Sequence, residues 1–175
     1  MTVFEKSIQL AEEARQMKGF EKVTEGHYYY AVALGRWALE KGPLTVLGKT
    51  PDLKKALSDA QAGDTLTGDA GETVDAYGPD RVYGRMYMEL PALAGGSKKL
   101  AKQHTETAYT NAPEHSLNSV YYAQALESLD ETTKACQVVD DLLKLDPAVM
   151  MPERVADATE DFADAKRFQK ETCTP

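Results

Sequence analysis

The sequence has no alternating apolar run that would mark a β-strand, and none of its apolar stretches approaches the ~18–20 residues a bilayer crossing needs. The longest candidate, from Tyr28 to Leu34, contains three tyrosines, so the expectation is a soluble chain with no strands. There are only two cysteines, Cys136 and Cys173, too few for a disulfide framework. The first falls in a helical pattern and reads as a buried thiol; the second sits three residues from the end, where a frayed tail is the default. No bridge and no redox chemistry are therefore expected. Net positive charge is also missing: the formal charge is −8 with a pI near 4.9, which repels nucleic-acid backbones and anionic lipid heads. Nucleophile elbows, phosphate-binding glycine loops and dinucleotide fingerprints are absent. His27, His104 and His115 share no ligand spacing, and the acids from Asp64 to Asp75 lack the calcium-loop order. This points to a protein with no catalytic residues, no metal site and no cofactor.

What is present is helix. At 175 residues the chain suits one domain. Phe4, Ile8 and Ala11 share a face between Thr2 and Lys18, with Gly19 as the stop. Thr24 is placed to cap a second helix, about 25–41, in which Tyr30, Leu34 and Trp37 recur before Gly42-Pro43. Thr50 and Pro51 open a third, with Leu53, Ala56, Leu57 and Ala60 on one side. The stretch from Gly63 to Gly78 loses periodicity and reads as a long connection or a minor helix flanked by loops. Later helices are expected at about 79–90, closed by Pro91, then from the Ser97 cap to Asn111, at about 116–129 and 131–145, and at about 152–170.

Pro79, Pro113 and Pro147 are spaced by 34 and again by 34 residues, the tetratricopeptide period. The expected fold is thus all-α: tetratricopeptide-like stacked helical hairpins forming an α-solenoid of about seven helices with one long loop insertion. A single domain over 1–175 would consist of helix pairs at about 2–42, 79–113 and 114–147, an inserted helix and loop at 50–78, and a capping helix at 152–170. Consensus residues beyond the prolines are sparse, and a plain helical bundle is the alternative.

Two blocks carry more than repeat geometry: Gly26-His-Tyr-Tyr-Tyr-Ala-Val-Ala-Leu-Gly-Arg-Trp-Ala-Leu-Glu-Lys-Gly42, and Tyr77-Gly-Pro-Asp-Arg-Val-Tyr-Gly-Arg-Met-Tyr-Met-Glu-Leu-Pro91 followed by Gly95-Gly96. In these the chain resembles the T-component family of tripartite ATP-independent periplasmic (TRAP) transporters, over about Gly26 to Pro147. The resemblance implies a tetratricopeptide-like, extracytoplasmic helper subunit, membrane-anchored through an N-terminal lipidated cysteine in its precursor, that associates with a periplasmic solute-binding protein. No lipobox cysteine lies near Met1, so either the sequence begins after it or the anchoring part of the inference fails.

Arginines and tyrosines are the candidate binding residues. Trp37 reads as core, with Arg36 beside it stacking on or pairing with a neighbouring helix; the functional alternative has Arg36 fix a ligand carboxylate with its planar two-pronged donor. Arg81 and Arg85 share a helical face partly opposite Val82, Met86 and Leu90. They either bind an anion or are neutralised by nearby acids, of which six lie between Asp59 and Asp80. Nine tyrosines suit either a wet concave groove or half-buried packing, and Tyr77, Tyr87 and Tyr121 join the candidate set. The leading expectation is a non-catalytic accessory protein binding a solute-binding partner, and a small apolar or carboxylate ligand in a Tyr-lined groove. The alternative is a cytoplasmic scaffold that holds a peptide in its concave face. Homo-oligomer formation stays open, and Arg81→Ala is expected to weaken binding without unfolding the chain.

Overall fold

The computed structural model describes residues 2–42, 47–66 and 70–173. It is all-α, and among these residues there are nine α-helices and no strand. They are α1 (Val3–Arg15), α2 (Thr24–Lys41), α3 (Thr50–Ala62), α4 (Val74–Glu89), α5 (Lys98–Asn111), α6 (Ser116–Glu127), α7 (Thr132–Leu143), α8 (Pro147–Met150) and α9 (Val155–Phe168). A π-helical turn, Gln169–Cys173, ends the description. No described helix is long and apolar enough to cross a membrane.

The helices pack as sequential neighbours: α1 on α2, α2 on α3, α4 on α5, α6 on α7, with α9 against α6 and α7. Two apolar clusters result. In the first, Tyr30, Ala31 and Leu34 of α2 meet Leu53, Ala56 and Leu57 of α3 and Met86 of α4, with Ile8, Ala11 and Trp37 at its edge. In the second, Val120, Tyr122 and Leu126 of α6 meet Val138, Val139 and Leu142 of α7 and Phe162 and Ala165 of α9. Each reflects helical spacing of apolar residues, which turns one face of a helix inward.

Several expectations need correction. Thr24 is the first residue of α2, not its cap: Val23 is the extended N-cap, and the Thr24 hydroxyl donates to the Ala60 carbonyl at 2.9 Å. That bond, with Thr24 N–H to Asp64 O at 3.0 Å, fastens the end of α3 to the start of α2. Pro43, offered as the stop of α2, and Asp69 lie outside the described residues. The Gly63–Gly78 stretch takes the minor-helix form of its two expected readings, with a short 3-10 helix at Gly71–Thr73. A short helix, α8, precedes α9 where one long helix was expected. The cysteine expectation is overturned as well: Cys136 of α7 and Cys173 form a disulfide, with Cα atoms 5.6 Å apart. The terminal π turn packs against α7, so the chain is tied down as far as Cys173.

The start of α4 departs from helical geometry. Asp75, Ala76 and Tyr77 have φ of 50°, 54° and 60°, three consecutive non-glycine residues in left-handed geometry. Each such residue costs about 1–2 kcal/mol. Pro79 then starts the right-handed helix with the fixed φ a first turn favours.

Candidate functional site

A groove of about 180 Å³ lies between α2, α4 and α6. On α2 its wall is the stripe Tyr28, Val32, Gly35 and Leu39, with Arg36 beside it. These are spaced by four, three and four, the rows that share a helical face. Val82, Met86 and Leu90 of α4 face them, and Leu53, Leu117 and Tyr121 complete the apolar lining. The basic face of α4 is not turned away from this stripe, as expected, because Arg81, Arg85 and Glu89 border the same groove.

The groove floor is a buried ionic knot. Arg81, 4% exposed, donates to Asp75 Oδ2 at 2.5 Å, to the Asp75 carbonyl at 3.1 Å, to the Ala76 carbonyl at 3.3 Å, to Asn118 Oδ1 at 2.9 Å and to the Tyr28 hydroxyl at 3.1 Å. Two of those acceptors are the carbonyls of the left-handed turn. Asn118, also buried, donates from Nδ2 to the same Ala76 carbonyl and to those of Ala108 and Ala112, joining α4, α5 and α6. Tyr28 donates its hydroxyl proton to Asp75 Oδ2, and Arg154 reaches in from the α8–α9 connection to Asp75 Oδ1 at 2.5 Å. Burial raises the Asp75 pKa, but Arg81, the Tyr28 hydrogen bond and Arg154 outweigh it and hold the carboxyl below its ordinary range. Burial also pushes the Tyr28 hydroxyl well up, so it stays a donor.

His115 closes the floor. Burial, then the neighbouring Arg81 and Arg154, push it down to about 4 against the pull of Asp75, so the ring is neutral at pH 7. Its Nε2 accepts from Arg154 at 3.2 Å, which puts the ring proton on Nδ1. Behind it, Ser116 donates to Asp161 Oδ2 at 2.5 Å. Burial raises Asp161 to about 6, with the Ser116 bond opposing. Below pH 4 both folded and unfolded chains are protonated there; between about 4 and 6 only the folded chain is, so stability falls as pH rises through that window. Asp161→Asn, which keeps an acceptor for Ser116, is expected to gain about 1–2 kcal/mol over the parent above pH 6 and nothing below pH 4. Urea midpoints measured across that range check it, and a constant difference would remove burial of the charge as the cause.

The candidate residues divide. Arg36, Arg81, Arg85 and Tyr121 border the groove, while Trp37, Tyr77 and Tyr87 do not. Trp37 is half-buried at the edge of the first cluster, and Tyr87 stacks with Tyr83 and His104. Of the nine tyrosines only Tyr28 and Tyr121 reach the groove, whose walls are aliphatic. Arg81 takes the neutralised of its two expected readings, since Nη1 and Nη2 both donate inward and Asp75 pairs with it. Arg85 is held by Glu89 at 2.6 Å and Gln124 at 2.8 Å, under the Tyr121 ring. Arg36 differs from both: it is exposed and makes no hydrogen bond or ion pair among the described residues. Sequence reasoning missed Asn118, His115 and Arg154, and had Asp75 only as one of six acids and Tyr28 only as one of nine tyrosines. The one local signal was the run of acids before Arg81.

Among the described residues no group of three or more His, Cys, Asp or Glu is placed to hold a metal ion. Beside the knot, the Ser116 hydroxyl is given to the Asp161 carboxylate and not to a histidine. No family model matches the chain, and no curated protein matches it.

Proposed function

We propose that this protein is a non-catalytic accessory subunit of a periplasmic solute transport system, which holds an apolar molecule with a carboxylate head in the α2–α4–α6 groove and docks on a solute-binding protein. One observation carries the ligand reading. Five cations, Arg36, Lys49, Arg81, Arg85 and Arg154, border the groove; Asp75 pairs with Arg81 and Arg154, Glu89 with Arg85 and Asp52 with Lys49, so Arg36 is left uncompensated among the described residues, in a chain whose net charge is −8. A positive, aliphatic slot in an acidic protein selects an anion with an apolar body. Arg36, without a partner among the described residues, is the donor at the mouth for the head group, and the buried Nε of Arg85 is a second donor along the groove with no partner among them.

The transport context rests on the resemblance to TRAP T-components. The two sequence blocks that carry it form α2 and α4, the facing walls of the groove. The Cys136–Cys173 bridge supports a periplasmic over a cytoplasmic setting, because such bonds persist in oxidising compartments. Stacking of the hairpins as a tetratricopeptide-like solenoid belongs to the same proposal, with α4–α5 and α6–α7 as its repeats.

Titration with decanoate tests the ligand reading. Arg36→Ala is expected to weaken binding about 10- to 100-fold, the worth of a hydrogen-bonded charge pair, with an unchanged melting temperature. Equal affinity of variant and parent would remove Arg36 from the site. For the partner, the purified protein should form a stoichiometric complex with the solute-binding protein of a TRAP system from the same cell, and failure to do so overturns the transport assignment.

A further inference from the structure

Glycine in the middle of a helix costs stability, so it needs a reason. In α4 the reasons are steric: a Cβ on Gly78 would enter the Tyr28 ring, and one on Gly84 would strike the Thr105 methyl. Gly35, in the interior of α2, has no such reason. Its φ is not positive, and a Cβ built there meets nothing within 4 Å. Neither close helix packing nor a turn accounts for it. What it does border is the groove, at the centre of the α2 stripe Tyr28, Val32, Gly35, Leu39.

We infer that Gly35 is the specificity-determining residue of the groove: it leaves the gap through which an unbranched alkyl chain passes while Arg36, the next residue, holds the carboxylate at the mouth. This rests on the carboxylate-ligand reading and narrows it to a straight-chain monocarboxylic acid. Across the gap, α4 presents Val82, Met86 and Leu90, with Leu117 and Tyr121 alongside. From Val82 to Leu90 the helix rises about 12 Å, roughly the reach of an extended ten-carbon acid. A Cβ at position 35 enters open space with no atom within 4 Å, so a longer side chain there would extend into the slot at mid-length. The helix forgoes the stability that alanine would add there in exchange for an open channel.

The experiment measures binding of straight-chain acids from hexanoate to hexadecanoate, with melting temperatures, for the parent, Gly35→Ala and Gly35→Leu. In the parent each methylene up to about ten carbons should add about fourfold in affinity. Gly35→Leu should bind decanoate at least tenfold more weakly and lose the chain-length dependence. Gly35→Ala should melt about 1–4 °C higher and bind severalfold more weakly, and it keeps the test decisive should the leucine variant fail to fold. Unaltered decanoate affinity in a folded variant overturns the role of Gly35 while the ligand reading stands. A parent that binds none of the acids overturns the ligand reading itself, and the Gly35 inference with it.

Discussion

Arg81→Ala lowers folding stability by about 3–5 kcal/mol, the usual effect of removing one partner from a buried ion pair. For a chain of this size that is a fall of roughly 6–20 °C in melting temperature. The effect comes from what Arg81 leaves behind. Asp75 would be a buried carboxylate keeping only Tyr28 and the half-exposed Arg154, Asn118 Oδ1 would lose its donor, and the carbonyl of Asp75 would lose its side-chain partner. Three left-handed residues would then lack the clamp that offsets their conformational cost. Arg81→Lys should not restore stability, because an ammonium cannot address two carbonyls, a carboxylate, an amide and a phenol from one planar group.

Coupling is the sharper test. In Asp75→Ala no buried charge is left unpaired when Arg81 is also replaced, so the double variant should be more stable than the sum of the two single losses by about 0.5–3 kcal/mol. Denaturant midpoints of the four proteins give the number. Strict additivity would mean that the turn holds itself, and that Arg81 fills a hole without fixing the backbone.

Legibility from sequence followed the range of the interaction. The face Leu53, Ala56, Leu57, Ala60 was readable because it follows from spacing alone, and all four residues are buried. Ser97 was readable as a cap because its bond to Leu100 N–H is local. Thr24 has the same cap chemistry, yet its hydroxyl found an acceptor 36 residues away at Ala60. The left-handed turn at Asp75–Tyr77 contains no glycine to announce it, and the donors that hold it come from Arg81 and Asn118. Arg154 lies 79 residues from Asp75, in a connection with no periodicity to place it. Arg36 was nameable as a carboxylate donor by its chemistry, but that it stands unpaired among the described residues, beside an aliphatic slot, is a property of three helices together.

Opening the Cys136–Cys173 bridge, by reduction or in the Cys136→Ser/Cys173→Ser variant, should remove about 4 kcal/mol, the chain entropy of freeing a loop of this length. The two cysteines are 37 residues apart. The melting temperature should fall by about 8–16 °C. The enclosed loop holds α8 and α9, hence Phe162 and Ala165 of the second cluster, Asp161 behind the floor and Arg154 on Asp75. Loss of the bridge should therefore be felt in the groove as well as in the global transition. Hydrogen exchange should rise first in α9, ahead of α2 and α4, because the enclosed segment gains the freedom directly. If exchange rises uniformly, the bridge acts only on the unfolded chain. If stability is unchanged with and without reductant, the second cluster and the Arg154–Asp75 pair anchor α9 on their own, and the compartment argument drawn from the bridge loses its physical basis.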